Sequence, residues 1–147
     1  MDIQALIAHI TEADLNNLPK KYLKDKHPIK DLVITIQEDN VVIKGKYKAI
    51  VSVKFETVWE PSVNEGKVRA RLAKIKAFGT LPVTVLKTYL MRLCQSAIED
   101  IPGISLDGDA MDVDHEELAR EEGWVLACSF REVRCEPGRV VVVAGDH

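Results

Sequence analysis

Apolar residues recur along this chain with two different periods, and the switches between them predict its elements. Residues 1–24 follow a helical spacing. Ile3, Leu6, Ile7 and Ile10 suit a short helix over Asp2–Ile10. Thr11 stands where an N-cap is expected, with Glu12 and Asp14 in the first turn of a second helix whose stripe is Leu15, Leu18, Tyr22 and Leu23. Pro19 falls inside that helix, so a kink or restart is expected there. From Ile29 the period becomes two. Leu32, Ile34 and Ile36 alternate with polar neighbours, Asp39 and Asn40 mark a turn, and Val41–Lys44 returns as a second strand. Gly45 reads as a bulge or bend.

Tyr47, Ala49, Val51, Val53, Phe55 and Trp59 then hold odd positions against Lys46, Lys48, Ser52, Lys54, Glu56 and Glu60, which predicts one strand of about fourteen residues. Residues 61–66 read as a turn-rich loop. The next strand, Lys67–Phe78, carries apolar residues on even positions (Val68, Ala70, Leu72) and then on odd ones (Ile75, Ala77). Such a change of face within one strand predicts a β-bulge, which bends a sheet.

Residues 81–101 return to helical spacing. Val83, Leu86, Leu90, Leu93, Ala97 and Ile101 form a stripe, which Val85, Tyr89, Met91, Cys94 and Ile98 widen to most of the circumference. A helix so apolar is expected to be covered on more than one side. Pro82 suits its first turn, and Pro102 with Gly103 stops it. Short strands at Ile104–Leu106 and Ala110–Val113 follow, then a helix His115–Arg120 capped by Asp114 and ended near Gly123. Trp124, Leu126, Cys128 and Phe130 alternate on one parity, and Val133 and Cys135 on the other, a second bulge signal. Residues 136–139 form a hairpin turn before a closing strand, Val140–Val143. The expected architecture is a single α+β domain over residues 1–147: a long, strongly bent antiparallel sheet wrapped around one long central helix.

Composition changes this picture little. The 46% hydrophobic and 29% charged residues are ordinary for a globular chain. A net charge of -3 argues against a nucleic-acid partner. No window reaches the ~18 consecutive apolar residues of a membrane span. The start carries acids and no basic n-region, which predicts a cytoplasmic home as the chain stands, or a periplasmic or envelope one if a leader has been removed. Cys94, Cys128 and Cys135 match no zinc spacing and read as buried thiols.

Candidate chemistry is sparse. Asp107, Asp109, Asp112, Asp114, His115, Glu116 and Glu117 are dense in potential ligands, but a calcium loop counted from Asp107 places Asp112 where glycine is obligatory. A solvated acidic turn is expected, with no metal. The histidines at 9, 27, 115 and 147 stand near no recognisable nucleophile pattern, and nothing calls for a cofactor, so the chain reads as non-enzymatic. Lys67, Arg69, Arg71, Lys74 and Lys76, with Lys46, Lys48 and Lys54, put a basic stripe on the outer sheet face. It reads either as ordinary surface or as a means of peripheral contact with an anionic lipid surface or acidic partner.

The opening Ile10-Thr11-Glu12, with Asp14, Leu15 and Asn16, resembles the first-helix start of small bacterial single-domain members of the tubular lipid-binding (TULIP-like) superfamily, periplasmic lipoproteins among them. Gly66 with Val68, and Pro82 with Val83, stand where that family ends its long strands and begins its long helix. The tail from Ile104 to Gly145 is similar to the family's closing strand, short helix and hairpin. Pro19 and the missing leader depart from the pattern. The resemblance implies a half-barrel whose groove holds a lipid or other hydrophobic ligand. On that reading Leu86, Leu90, Met91, Leu93 and Ala97 of the helix would face Val51, Val53 and Phe55 of the sheet across the ligand. The alternative is a protein–protein interaction or assembly module with a filled core. The sequence leaves oligomeric state open.

Overall fold

The structure, a computed structural model, describes residues 5–23, 28–48, 52–78, 83–99, 101–123 and 127–145. Twelve elements follow in order: β1 (Ala5–Thr11), α1 (Glu12–Tyr22), β2 (Ile29–Gln37), β3 (Asn40–Lys48), β4 (Ser52–Asn64), β5 (Lys67–Phe78), α2 (Val83–Ile98), β6 (Ile104–Asp107), β7 (Ala110–Val113), α3 (His115–Glu121), β8 (Phe130–Glu136) and β9 (Arg139–Gly145). The strands make a six-stranded sheet, β2-β3-β4-β5-β7-β6, and a three-stranded one, β1-β9-β8, with every pairing antiparallel.

The large sheet is the frame. Along β4, Val53, Phe55, Thr57 and Trp59 are buried while their neighbours face outward, which defines an inner and an outer face. Two different covers lie on the inner face. Near the tips of its hairpins the small sheet packs against it: Phe130, Cys135, Val140, Val142 and Ala144 cluster with Ile36, and Val41, Val63 and Val68 close in around them. Toward the other end Leu90 of α2 packs on Ile29, Val53 and Phe55.

This arrangement corrects the expected fold class. The described residues are mostly antiparallel β-sheet with three short helices, and among them no long central helix is wrapped by the sheet. α2 spans 16 residues, about 24 Å, and lies against β5 and β6. It buries Leu90 and Ile98 but leaves Lys87, Thr88, Arg92, Gln95 and Ser96 exposed. A helix with that much solvated surface is a cover, not a core. Its predicted first turn, at Leu81 and Pro82, lies outside the described residues.

Other expectations are corrected locally. The segment before Thr11 is a strand, because residues 5–11 pair in unbroken register with β9. The single fourteen-residue strand is instead two, β3 and β4, which pair antiparallel with Lys48 opposite Ser52; Ala49 and Val51 lie outside the described residues. β4 runs on through the predicted loop to Asn64, and the turn is only Glu65-Gly66, both at positive φ, as a tight type I′ hairpin requires. At Gly45 the ladder is regular. A Cβ there would stand 2.8 Å from Leu32 Cδ2 and from Phe55 Cζ, so the glycine admits close side-chain packing instead of a bulge. α1 continues through Pro19, whose carbonyl accepts from Leu23 N–H.

Both bulges stand where the parity shifts placed them. Val58 pairs with Lys74 and Trp59 with Leu72, leaving Ala73 as the surplus residue. Phe130 pairs with Ala144 and Glu132 with Val143, leaving Arg131. The capping box at Thr11 and Asp14 is formed, and Asp114 caps α3 through Glu117 N–H.

α1 has a further task that its sequence pattern concealed. β2 is an edge strand, and the outward backbone groups of Ile34 and Ile36 find partners outside the sheet. The Asn16 amide accepts from Ile34 N–H (2.8 Å) and donates to Ile34 C=O (2.9 Å). The Glu12 carboxylate accepts from Ile36 N–H (2.8 Å), and Gly138 N–H donates to Ile36 C=O (2.9 Å). Glu12 and Asn16, one helical turn apart, thus stand in for a neighbouring strand and close this edge.

Candidate anionic-surface interface

The outer face of the large sheet carries a dense set of charged side chains, and strand register sorts it into two halves. At one end β5 lies beside β7, so Arg69 sits opposite Asp112 and Arg71 opposite Ala110. Arg69 grips Asp112 with two hydrogen bonds (Nε–Oδ1 2.7 Å, Nη2–Oδ2 3.0 Å) and reaches Asp107 at 3.2 Å. Arg71 meets Glu60 at 3.3 Å and Lys67 meets Asp114 at 3.1 Å. The Glu117 N–H and, after it, the Lys67 ammonium hold the Asp114 carboxyl below its ordinary pKa. Asp107, Asp112 and Asp114 of the acidic run are therefore partners of Arg69 and Lys67, while Arg71 is met by Glu60 of β4. Among the described residues no group of three or more His, Cys, Asp or Glu is placed to hold a metal.

Beyond the bulge at Ala73 the face is different. Lys30 pairs directly with Lys46, and Lys46 with Lys54, a row of three like charges across β2, β3 and β4. In the adjoining row Glu56 lies between Lys44 (3.6 Å) and Lys76 (3.7 Å), its side chain only 18% exposed. Lys48 and Lys74 flank these rows. Seven lysines (30, 44, 46, 48, 54, 74 and 76) thus share this half with two carboxylates, Glu56 and Asp31, the latter 3.5 Å from Lys46. Val33, paired with Lys44 and so on the same face, is 53% exposed. An open cavity of about 250 Å³ lies among these residues, lined by Asp31, Lys44, Lys46, Lys54, Phe55 and Glu56. A second, of about 360 Å³, lies in the paired half between Glu60, Arg69, Arg71, Asp107 and Asp109.

Directly opposed like charges destabilise a sheet by about 0.2–1 kcal/mol each. A sequence selected for stability alone would alternate signs across this row, as it does at Arg69–Asp112 and Lys44–Glu56–Lys76. The row Lys30–Lys46–Lys54, met only by Asp31 among the described acids, departs from that alternation and is a local conflict with folding.

The residues expected to line an apolar groove separate. Leu90, Val53 and Phe55 meet in one buried cluster, with Leu90 2% exposed and Phe55 5% exposed. Met91 is partly buried. The Leu86, Leu93 and Ala97 side chains, and Val51 altogether, lie outside the described residues. Both cavities described above lie on the charged outer face. The thiols are unpaired; burial pushes Cys94 and Cys135 up to about 11 and raises Cys128 as well, which leaves them poor nucleophiles.

Reading the sequence by parity finds Lys46, Lys48, Lys54, Lys74 and Lys76 but misses Lys30, Lys44 and Val33. Lys44 shares the even parity of Lys46 and was within reach of that reading. Lys30 and Val33 were not, because β2 slips register between them at a positive-φ residue, Asp31. No protein-family model matches this chain, and neither does any curated protein or solved structure.

Proposed function

We propose that this protein is a non-enzymatic peripheral binding module that adsorbs to anionic lipid surfaces through the lysine half of its outer sheet face. The row Lys30–Lys46–Lys54 carries the reading, because it costs stability and no described acid but Asp31 offsets it. Lysine suits this task. Its ammonium is a compact, strongly hydrated charge on a flexible stem, fitted to a diffuse field of headgroups more than to one bidentate ligand. Each lysine near an acidic bilayer contributes about 1 kcal/mol. Val33, exposed beside Lys44, adds an apolar contact within the cationic patch. With a net charge of -3 the whole chain is repelled by an acidic surface, so adsorption depends on orientation, the paired Arg69 half turning away.

Co-sedimentation with phosphatidylserine vesicles and with neutral phosphatidylcholine vesicles tests this. Binding to the acidic vesicles alone, lost in high salt, supports it; equal partition to both overturns it. Retention on immobilised polyglutamate without vesicle binding would move the reading to an acidic protein partner. A second reading, uptake of an apolar ligand beneath α2, draws on the meeting of Leu90 with Val53 and Phe55. Organic extraction of the purified protein and mass analysis of any stoichiometric lipid distinguishes it.

A further inference from the structure

The fold treats its open sheet edges unequally. β2 is closed by Glu12, Asn16 and Gly138, as described above. β1 is not. It pairs on one side only, with β9, from Ala5↔Gly145 to Thr11↔Arg139. Among the described residues no backbone or side-chain hydrogen bond reaches residues 5–10 from the other side.

The usual protections of an edge are missing as well. Natural edge strands are blunted by charge, proline, a bulge or brevity. β1 is seven residues long, with no Lys, Arg, Asp, Glu or Pro, and its register is unbroken. Ile7 is 58% exposed, and Ala8 and His9 beside it are also exposed. The strand is paired along its whole length with a buried neighbour. Its neighbour β9 buries Val140–Ala144 on both faces, with Val141 and Val142 each 1% exposed. Among the described residues, a row of backbone donors and acceptors without a formally charged side chain therefore stands unpaired along this edge.

We infer that β1 is a homodimerisation edge, on which a second copy of this chain pairs its own β1 antiparallel about a two-fold axis. The second copy is the occupant favoured by the chemistry. An antiparallel edge is complementary to itself, since each strand offers the same alternation of N–H and C=O. Because the segment lacks formal charge, two copies meet without repulsion. An axis through Ala8 sets each Ile7 against His9 of the other copy, covering the exposed isoleucine. The result is one continuous six-stranded sheet, β8-β9-β1 joined to its symmetry equivalent. A single strand pair is a small interface, so the dimer is reversible, with a dissociation constant on the order of micromolar. This inference is independent of the lysine face, which lies on the other sheet.

Analytical ultracentrifugation of the full chain from about 1 to 500 µM, together with hydrogen exchange at both ends of that range, tests it. The expected result is a monomer–dimer equilibrium in which the amides of residues 5–10 gain protection with concentration. Ile7→Lys should raise the dissociation constant about tenfold or more, because the substitution occurs twice across the axis. Ile7→Thr, which keeps strand propensity and adds no charge, should retain most of the association. Circular dichroism of both variants checks that the exposed site leaves the fold intact. A monomer throughout overturns the inference. So does a dimer that survives Ile7→Lys while the β1 amides stay unprotected.

Discussion

Replacing Lys30, Lys46 and Lys54 together by glutamine separates binding from folding. If each lysine contributes about 1 kcal/mol near an acidic bilayer, the triple variant loses about 3 kcal/mol, or roughly a hundredfold in partition to phosphatidylserine vesicles. Folding should respond in the other direction. The substitution removes two directly opposed pairs, Lys30–Lys46 and Lys46–Lys54, each costing about 0.2–1 kcal/mol. It also gives up the solvated Lys46–Asp31 contact at 3.5 Å, worth about 0–1 kcal/mol. Urea unfolding should therefore show stability between about 0.6 kcal/mol lower and about 2 kcal/mol higher, with a rise as the central expectation. Vesicle co-sedimentation at low and physiological salt supplies the other measurement, and the gap between variant and wild type should narrow as salt rises. Glu56→Gln is the converse control. Removing the carboxylate between Lys44 and Lys76 should strengthen partition. Vesicle binding that the triple variant leaves within a factor of about two of wild type would refute the assignment. A marked fall in stability would refute the claim that the row is a cost to folding.

Three other perturbations probe the frame. Asn16→Ala leaves Ile34 N–H and C=O without their edge partners and should cost about 1–3 kcal/mol in urea unfolding; a loss below about 0.5 would mean that water replaces the amide freely. Gly45→Ala drives a Cβ to within 2.8 Å of Leu32 Cδ2 and Phe55 Cζ, and thermal unfolding should show about 1–3 kcal/mol of overpacking. Asp114 has its pKa lowered in the folded state, chiefly by Glu117 N–H and then by Lys67, so its contribution is present above the unfolded carboxyl value near ~4 and is lost as pH falls through the folded one. Asp114→Ala should remove about 1 kcal/mol of capping near neutral pH and flatten the acid limb of a stability–pH curve; an unchanged limb would place the acid sensitivity elsewhere.

Much of the frame was legible because its signals are local. The Thr11 cap, the Asp114 cap and the two parity shifts depend on neighbours in sequence, and each appears where the pattern put it. The failures have physical causes. Ile3, Leu6, Ile7 and Ile10 fit helical spacing, but Leu6, Ala8 and Ile10 also alternate; pairing with β9, a long-range contact, decides between them. The hairpin at 48–52 hides because three intervening residues preserve parity, so odd positions face inward on both strands and the alternation runs through the reversal. The central-helix expectation treated apolar composition as evidence of encirclement, whereas the exposed Lys87, Arg92 and Gln95 place α2 on one side of the sheet. At the candidate site the lysine parity was readable. That Arg69 and Lys67 would be neutralised was not, because it depends on β7 and the start of α3 returning beside β5 some forty residues later.

Ala73 has a consequence for how this chain can vary in length. It is the one residue in β5 without a partner on β4, and it is exposed. Deleting it would keep Leu72 and Ile75 on the inner face and Lys74 and Lys76 on the outer, because the deletion and the bulge cancel in parity. Every side chain would hold its side, but the strand would straighten. Such a single-residue deletion therefore acts on curvature alone, and curvature sets how the small sheet and α2 meet the same inner face. Relatives that differ by one residue at this point would share a ladder and a charge pattern while differing in the distance between their two covers.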